Sequence, residues 1–293
     1  MPVSGAMVLT SLAMIAFAGN SLLCRAALDH TAIDAASFTT IRLLSGAVAL
    51  WLIVRFRAGS RQVSGNWMSA FALFAYAAGF SFAYDTLSAG TGALLLFGAV
   101  QATMIGYGMW TGERLRGVQV AGLVLACVGL VGMLLPGVSA PPLAGSLLML
   151  GAGIAWGVYS LRGKGAGDAT GVTAGNFLRS VPFAVALSVL MLGEVSVDPA
   201  GFWLAVASGA LASGVGYAIW YAALPALKAA SAATVQLSVP VIAALGGVAF
   251  LHEPISLRLA VASAAVLGGI ALVIVEKQRH AEGGAGDSPD RPG

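Results

Sequence analysis

Chemistry in this chain has to come from few polar groups, and most of them fall inside long apolar stretches. Arg42 and Arg179 are the two charged residues so placed. An arginine near a bilayer centre costs about 2.5–3.5 kcal/mol on insertion scales, so it needs a reason. One reading is recognition of a substrate carboxylate. The other is that each side chain snorkels to the nearer interface or pins helix ends. Arg42 lies about eight residues into its stretch and Arg179 about six, roughly 9–12 Å at helical rise. Snorkelling over that distance is feasible and is the expectation.

Aromatic residues supply a second pattern. Tyr217 and Tyr221 lie four apart, on one helix face, with Ser213 a turn earlier. A shift of 137 residues places these three on Phe80, Tyr84 and Tyr76. Faces that mix rings with hydroxyls suit a pocket for a partly apolar ligand. Plain helix packing is the other reading of each. Trp156 and Tyr159 sit too deep in their stretch to belong to an interfacial belt. Gln101 and Gln236 are the amides of the fourth and ninth stretches, and Asn20 and Asn176 are comparable. Such groups bind the polar ends of an amino acid, or tie helices together. Pro240 and Pro182 each remove a backbone hydrogen bond and predict kinks. Pro240 is the candidate hinge, with a static bend as the alternative.

Acidic residues avoid the stretches. Glu113 and Glu253 stand at stretch ends, where a negative charge favours the start of the following helix, and Asp85 stands in a tight turn. Without a midplane carboxylate the chain reads as a facilitator rather than a proton antiporter. The two cysteines, Cys24 and Cys127, and the histidines His30, His252 and His280 form no disulfide framework or metal-ligand spacing. No metal, cofactor or catalytic constellation is expected, which leaves an integral membrane enzyme as the remote alternative.

The elements that must position these residues follow from composition. Of 293 residues, 58% are hydrophobic and 9% charged, with a mean hydropathy of +0.89. A soluble domain carries about 25% charged residues, so the chain cannot cover a water-facing surface. A net charge of +3 gives no basis for nucleic-acid binding. At about twenty residues per span there are ten candidates: 7–24, 34–54, 67–84, 88–109, 118–135, 143–161, 173–192, 202–221, 231–250 and 258–275. The third and fourth require a very tight hairpin at Asp85 to Leu87. The N-terminus has no basic region of the kind that precedes a cleavage site, so the first stretch is read as an uncleaved helix.

Basic residues orient the bundle. With the N-terminus inside, Arg55, Arg57, Arg61, Arg114, Arg116, Arg162, Lys164, Lys228, Lys277, Arg279 and Arg291 are cytoplasmic, against Arg25 and Arg258 opposite. That bias predicts a multi-pass inner-membrane protein with both termini cytoplasmic. Trp51, Trp67, Trp110 and Trp203 fall at span ends, as an aromatic belt requires. Residues 277–293 read as a disordered cytoplasmic tail.

The halves 1–137 and 138–276 repeat each other. The 137 shift also places Arg25 on Arg162, Arg42 on Arg179 and Gly79 on Gly216; a 140 shift places Glu113 on Glu253 and Gly129 on Gly269. Five spans is an odd number, so the second half enters the membrane from the opposite side. Inverted repeats of this kind build a midplane site for alternating access.

The sequence Ala233-Thr234-Val235-Gln236-Leu237-Ser238-Val239-Pro240-Val241-Ile242, followed by Phe250-Leu251-His252-Glu253-Pro254, resembles the EamA-type unit of the drug/metabolite transporter superfamily. Ala155-Trp156-Gly157-Val158-Tyr159 ahead of Arg162 is similar to the opening helix of such a repeat. The first half departs from the pattern, with Val100 in the place of Pro240 and Asn20 in that of Gly157. The resemblance implies an all-α integral membrane protein of two inverted five-helix repeats, exporting metabolites, commonly amino acids. Aromatic and other apolar amino acids come first. A purine, nucleotide-linked sugar or organic cation is the alternative cargo.

Overall fold

The computed structural model describes residues 3–57, 63–164, 167–227 and 229–285. Arg61, Lys228 and Arg291, counted above in the charge bias, lie outside the described residues. So does the tail from 286 on. Among the described residues the chain is all helix and loop, with ten spans long and apolar enough to cross a membrane. A bilayer offers no water to unpaired backbone groups, and helices satisfy theirs internally.

The first seven spans are single helices: α1 (Val3–His30), α2 (Ala35–Phe56), α3 (Trp67–Tyr84), α4 (Ala89–Trp110), α5 (Gly117–Leu134), α6 (Leu143–Gly163) and α7 (Ala169–Leu190). The eighth joins α8 (Pro199–Val206), a π-helical segment (Ala207–Val215), α9 (Gly216–Ala223) and a closing turn. The ninth is α10 (Ala229–Gln236) and α11 (Ser238–Leu251), and the tenth is α12 (Leu257–Ala285).

Local chemistry explains the boundaries. Asp34 Oδ1 accepts from the backbone N–H groups of Ala36 and Ser37 at 3.0 and 2.8 Å and starts α2. Asn66 does the same for α3, accepting from Ser69 at 2.9 Å. The Asp85–Leu87 hairpin is present, with Leu87 N–H donating to Ala83 O at 3.0 Å and Ser88 capping α4.

Several ends differ from expectation. Helix α1 continues past Arg25 to His30, because Arg25 and Asp29 pair one turn apart at 2.9 Å. That places Asp29 on a spanning helix, although at its end and partly exposed. The eighth span begins at Pro199, where Asp198 caps it and proline is preorganised for a first turn. The tail does not open as coil: α12 runs on to Ala285.

The ninth span breaks at Leu237, whose N–H donates to Thr234 O at 3.1 Å. Pro240 lacks the N–H that would meet the Gln236 carbonyl, which accounts for a helix break one turn before it.

The two halves pack as inverted repeats. Helix α2 lies against α7, and α5 against α12, each beside its own counterpart. Helix α6 packs on α3 and α4, while α1 packs on the eighth and ninth spans, the same contacts with the halves exchanged. At the α5–α12 crossing Gly122 and Gly269 approach each other so closely that neither could carry a Cβ. Small residues at such crossings let backbones meet. Large apolar side chains such as Leu44, Val128 and Val261 face outward, as lipid-facing positions do.

One end of the bundle carries Asp29, Asp34, Asp85, Asp198 and Glu253; the other carries Arg55, Arg57, Arg114, Arg116, Arg162 and Lys164. We call them the acidic and the basic end.

Candidate substrate site

Arg42 does not snorkel. Its residue is 1% exposed, and it lies over the rings of Tyr76 and Phe80, 5.2 and 4.6 Å from their centroids. Nη2 donates to the Tyr76 hydroxyl at 2.9 Å, while Nε and Nη1 are buried without a hydrogen-bond partner. Among the described residues no Asp or Glu is buried, so the guanidinium has no buried counter-ion. Ring faces compensate part of a cation's lost hydration. They do not replace two absent acceptors, and leaving such donors unmet is costly.

Arg179, its repeat mate, is half-buried and donates to the carbonyls of Ser64 and Gly175 at 3.2 and 3.1 Å. The duplication has kept both arginines and given them different surroundings.

Tyr76 ties the site together. Its hydroxyl also accepts from Asn20 Nδ2 at 3.3 Å, and Asn20 Oδ1 accepts from Ser208 Oγ at 2.7 Å. The chain Ser208–Asn20–Tyr76–Arg42 thereby joins the eighth span to α1, α3 and α2. Ser208 and Ser213 both lie on the π-helical segment, whose i→i+5 bonding brings residues five apart over one another. Ser213 Oγ, like two of the Arg42 nitrogens, is buried without a partner.

Rings enclose this group. Tyr76 and Trp156 lie 4.8 Å apart, and Trp156 stacks on Tyr159 at 5.2 Å and on Tyr217 at 5.3 Å. Phe17 and Phe177 close on Tyr217 at 5.6 and 6.0 Å. Seven residues singled out from the sequence therefore meet: Asn20, Arg42, Tyr76, Phe80, Trp156, Tyr159 and Tyr217.

Others stand apart. Tyr84 is fully buried, donates to Ala89 O at 3.2 Å and fills the space beside Gly92, so it anchors the α3–α4 hairpin. Gln101 is buried on α4 and Gln236 half-buried at the end of α10. Among the described residues no hydrogen bond joins either amide to the Arg42 group.

Tyr221 lies nearer the basic end and lines a cavity of about 520 Å³ with Ile53, Arg57, Asp168, Thr170 and Ala218. A hydroxyl relay separates that cavity from the rings. Thr173 Oγ1 donates to Tyr221 at 3.3 Å and accepts from the Tyr159 hydroxyl at 3.4 Å, and Asn176 donates to Tyr159 at 3.4 Å. Phe17, Phe177, Thr173 and Ser208 were not singled out from the sequence. An apolar ring in an apolar span carries no periodic signal, and i→i+5 bonding leaves no trace in composition.

At the acidic end Glu253 does not serve the helix that follows it. Its Oε2 accepts from Ala89 N–H at 2.8 Å, at the start of α4 in the other half, and its Oε1 from Arg25 Nε at 3.0 Å. Arg25 Nη1 donates further to Tyr84 O and Asp85 O at 3.1 and 3.2 Å. Nearby, Asp34 Oδ2 accepts from Ser196 N–H at 2.9 Å, and Asp198 Oδ1 from Ala32 N–H at 3.1 Å. Burial alone would raise both carboxyl pKa values. The hydrogen bonds that Asp34 receives at Ser37, Ser196 and Ala36, and Asp198 at Gly201, Thr31, Ala32 and Ala200, outweigh it and hold both below the usual range.

An all-helical bundle of inverted five-helix halves, with polar groups gathered at its centre, defines a membrane transporter. Residues 143–275 match the EamA-like transporter family. An uncharacterized protein of Pseudomonas aeruginosa, PA1977, is 56% identical over 278 residues, covering 94% of this chain and 97% of the relative. The threonine/homoserine exporter RhtA of Escherichia coli K12 is 35% identical over 150 residues, 48% of this chain and 49% of RhtA. A solved crystal structure superposes with a TM-score of 0.67 at 21% identity, covering 94% of this chain and 99% of that one; it supports the fold alone. The second half of the chain, residues 143–275, is an EamA-like transporter domain. The chain is a multi-pass membrane transporter of small molecules, of the drug/metabolite transporter superfamily, and not an enzyme.

Proposed function

We propose that the chain exports amino acids by alternating access, and that Arg42 binds the substrate carboxylate. The observation that carries this is the buried guanidinium with Nε and Nη1 unpartnered. A carboxylate has the geometry to take two such donors at once. Tyr76, Phe80, Trp156, Tyr159 and Tyr217 then form the wall against the substrate's apolar part, and Ser213 offers it a hydroxyl. Tyr221 and the 520 Å³ cavity form the approach from the basic end. We place that end and both termini in the cytoplasm on the positive-inside bias. Gln101, Gln236 and Tyr84, which stand apart from the Arg42 group in the described conformation, make no direct contact with substrate in this reading, and Pro240 is the hinge of the ninth span.

The similarity to RhtA adds hydroxylated aliphatic amino acids to the aromatic and apolar ones the rings favour. A single unpaired cation suits one carboxylate better than a phosphate-bearing cargo. With no buried carboxylate among the described residues to carry a proton, transport in this reading is facilitated rather than proton-driven.

Tracer flux in proteoliposomes tests this, with aromatic, aliphatic and hydroxylated amino acids, with and without a pH gradient. Saturable flux of at least one class, unchanged by the gradient, is expected. Arg42→Gln lowers it roughly 10–100-fold, the worth of a charge-assisted hydrogen bond. Full activity in Arg42→Gln would sink the carboxylate assignment. Absence of any amino-acid flux from folded protein would remove the substrate class.

A further inference from the structure

The inverted repeat gives every residue in one half a mate in the other, so the ends of the bundle can be compared residue by residue. A backbone hydrogen bond crosses between the halves at each end. Asp34 N–H donates to Ser196 O at 3.0 Å, and Ser64 N–H donates to Gly171 O, the mate of Asp34, at 3.2 Å.

Three other mates differ, all in the same sense. At the acidic end Arg25 and Glu253 form a cross-half ion pair at 3.0 Å, their side chains 14% and 12% exposed. Their mates at the basic end are Arg162 and Glu113. Arg162 donates instead to Ser69 Oγ and Asn66 Oδ1, both at 3.1 Å, and among the described residues no ion pair joins it to Glu113. Leu22 of α1 packs on Gly246 so tightly that a Cβ has no room, whereas Gly106, mate of Gly246, has nothing within 4 Å. Lastly, Tyr84 is sealed in protein while Tyr221 lines an open cavity. Helices α1 and α11 are therefore drawn together at the acidic end, and α6 and α4 stand apart at the basic end. Nearer the centre, α6 and α4 do meet, at Gly157 and Thr103.

From these differences we infer that Arg25–Glu253 and Arg162–Glu113 are a pair of alternating latches. The first closes the acidic end in the conformation described, and the second closes the basic end when the first parts. The inference rests on the alternating-access reading and adds the residues that hold each state. Arg25 suits the part because one guanidinium reaches Glu253 and the Tyr84 and Asp85 carbonyls, so parting frees the start of α4 and the α3–α4 hairpin together. Arg162 is already within its own half-exposed polar cluster and needs only to exchange neutral partners for a carboxylate on the adjoining α4–α5 loop.

Double electron–electron resonance tests this without a substrate. On a background with Cys24 and Cys127 replaced by alanine, one label pair spans the acidic end (His30→Cys with Ile255→Cys). Another spans the basic end (Thr111→Cys with Lys164→Cys). The parent shows a short acidic-end and a long basic-end distance. Arg25→Gln raises the population with both distances reversed at least about tenfold, as breaking a largely buried pair demands. Adding Arg162→Gln removes that population again. The charge swap Arg25→Glu with Glu253→Arg restores the parent distribution, and Glu253→Gln gives the same reading should Arg25→Gln fold poorly. The inference is overturned if Arg25→Gln or Glu253→Gln loosens the acidic end while the basic-end distance stays long. It is equally overturned if Arg162→Gln leaves the reversed population intact. Either result leaves amino-acid flux, measured separately, to stand or fall by itself.

Discussion

Two arginines that sequence alone treats alike, Arg42 and Arg179, separate once their neighbours are known. Both are spaced to reach an interface, and only the packing of α3 over α2 decides that Arg42 does not. Depth along a helix is legible from residue numbers; which neighbour blocks the exit is not. Arg179→Gln is expected to leave flux within about twofold, since a half-exposed charge bonded only to carbonyls contributes little, and parallel flux assays with Arg42→Gln check it. Arg42→Lys keeps the charge but loses the planar fork, so it should recover only part of the loss. Ser213→Ala removes a buried hydroxyl without a partner. The empty protein should gain about 1 kcal/mol or more in a thermal melt, while KM for substrate rises; a gain in stability with KM unchanged would take Ser213 out of the site.

Among the elements, all ten spans were legible, because an apolar run of about twenty residues has no other stable home. The third matches its expected limits, 67–84, to the residue. Ends that differ do so for local polar reasons the apolar pattern cannot register, such as the Arg25–Asp29 pair that carries α1 onward. The π-helical segment left no sequence signal, and with it the alignment of Ser208 with Ser213 went unseen. Deleting Ala210 is expected to turn the segment α-helical and rotate Tyr217 off the Trp156 ring. Quenching or near-ultraviolet dichroism of the stacked pair reads that loss, with helix content unchanged. Gly122→Leu should separate α5 from α12 and cost about 1–3 kcal/mol, as overpacking does, in reversible unfolding from micelles.

For the whole molecule, the duplication was the most informative reading of the sequence. It implies inverted halves, and the exchanged contacts of α1 and α6 follow from it. What it could not reveal is the asymmetry, since mates of like type say nothing of which end is closed. The Asp34 and Asp198 ties have a defined pH range. Both carboxyls have lowered pKa values, so their contribution is fully present above the ordinary aspartate value and is lost only as pH falls through the lowered ones. Amide hydrogen exchange at Ala32 and Ser196 should therefore stay slow at neutral and mildly acidic pH and quicken only in strong acid. Quickening near pH 6 would contradict the assignment.

Arg42 also makes the centre of the bundle a fixed positive charge within the field of an energised membrane. One elementary charge crossing the full potential is worth about 2.3 kcal/mol per 100 mV. When water reaches Arg42 from the cytoplasm, the charge sits nearer the negative side, so voltage favours the empty protein facing inward. A zwitterionic cargo adds no net charge to either state. Its export should carry no current, yet the rate at which the empty carrier resets should fall or rise with the potential.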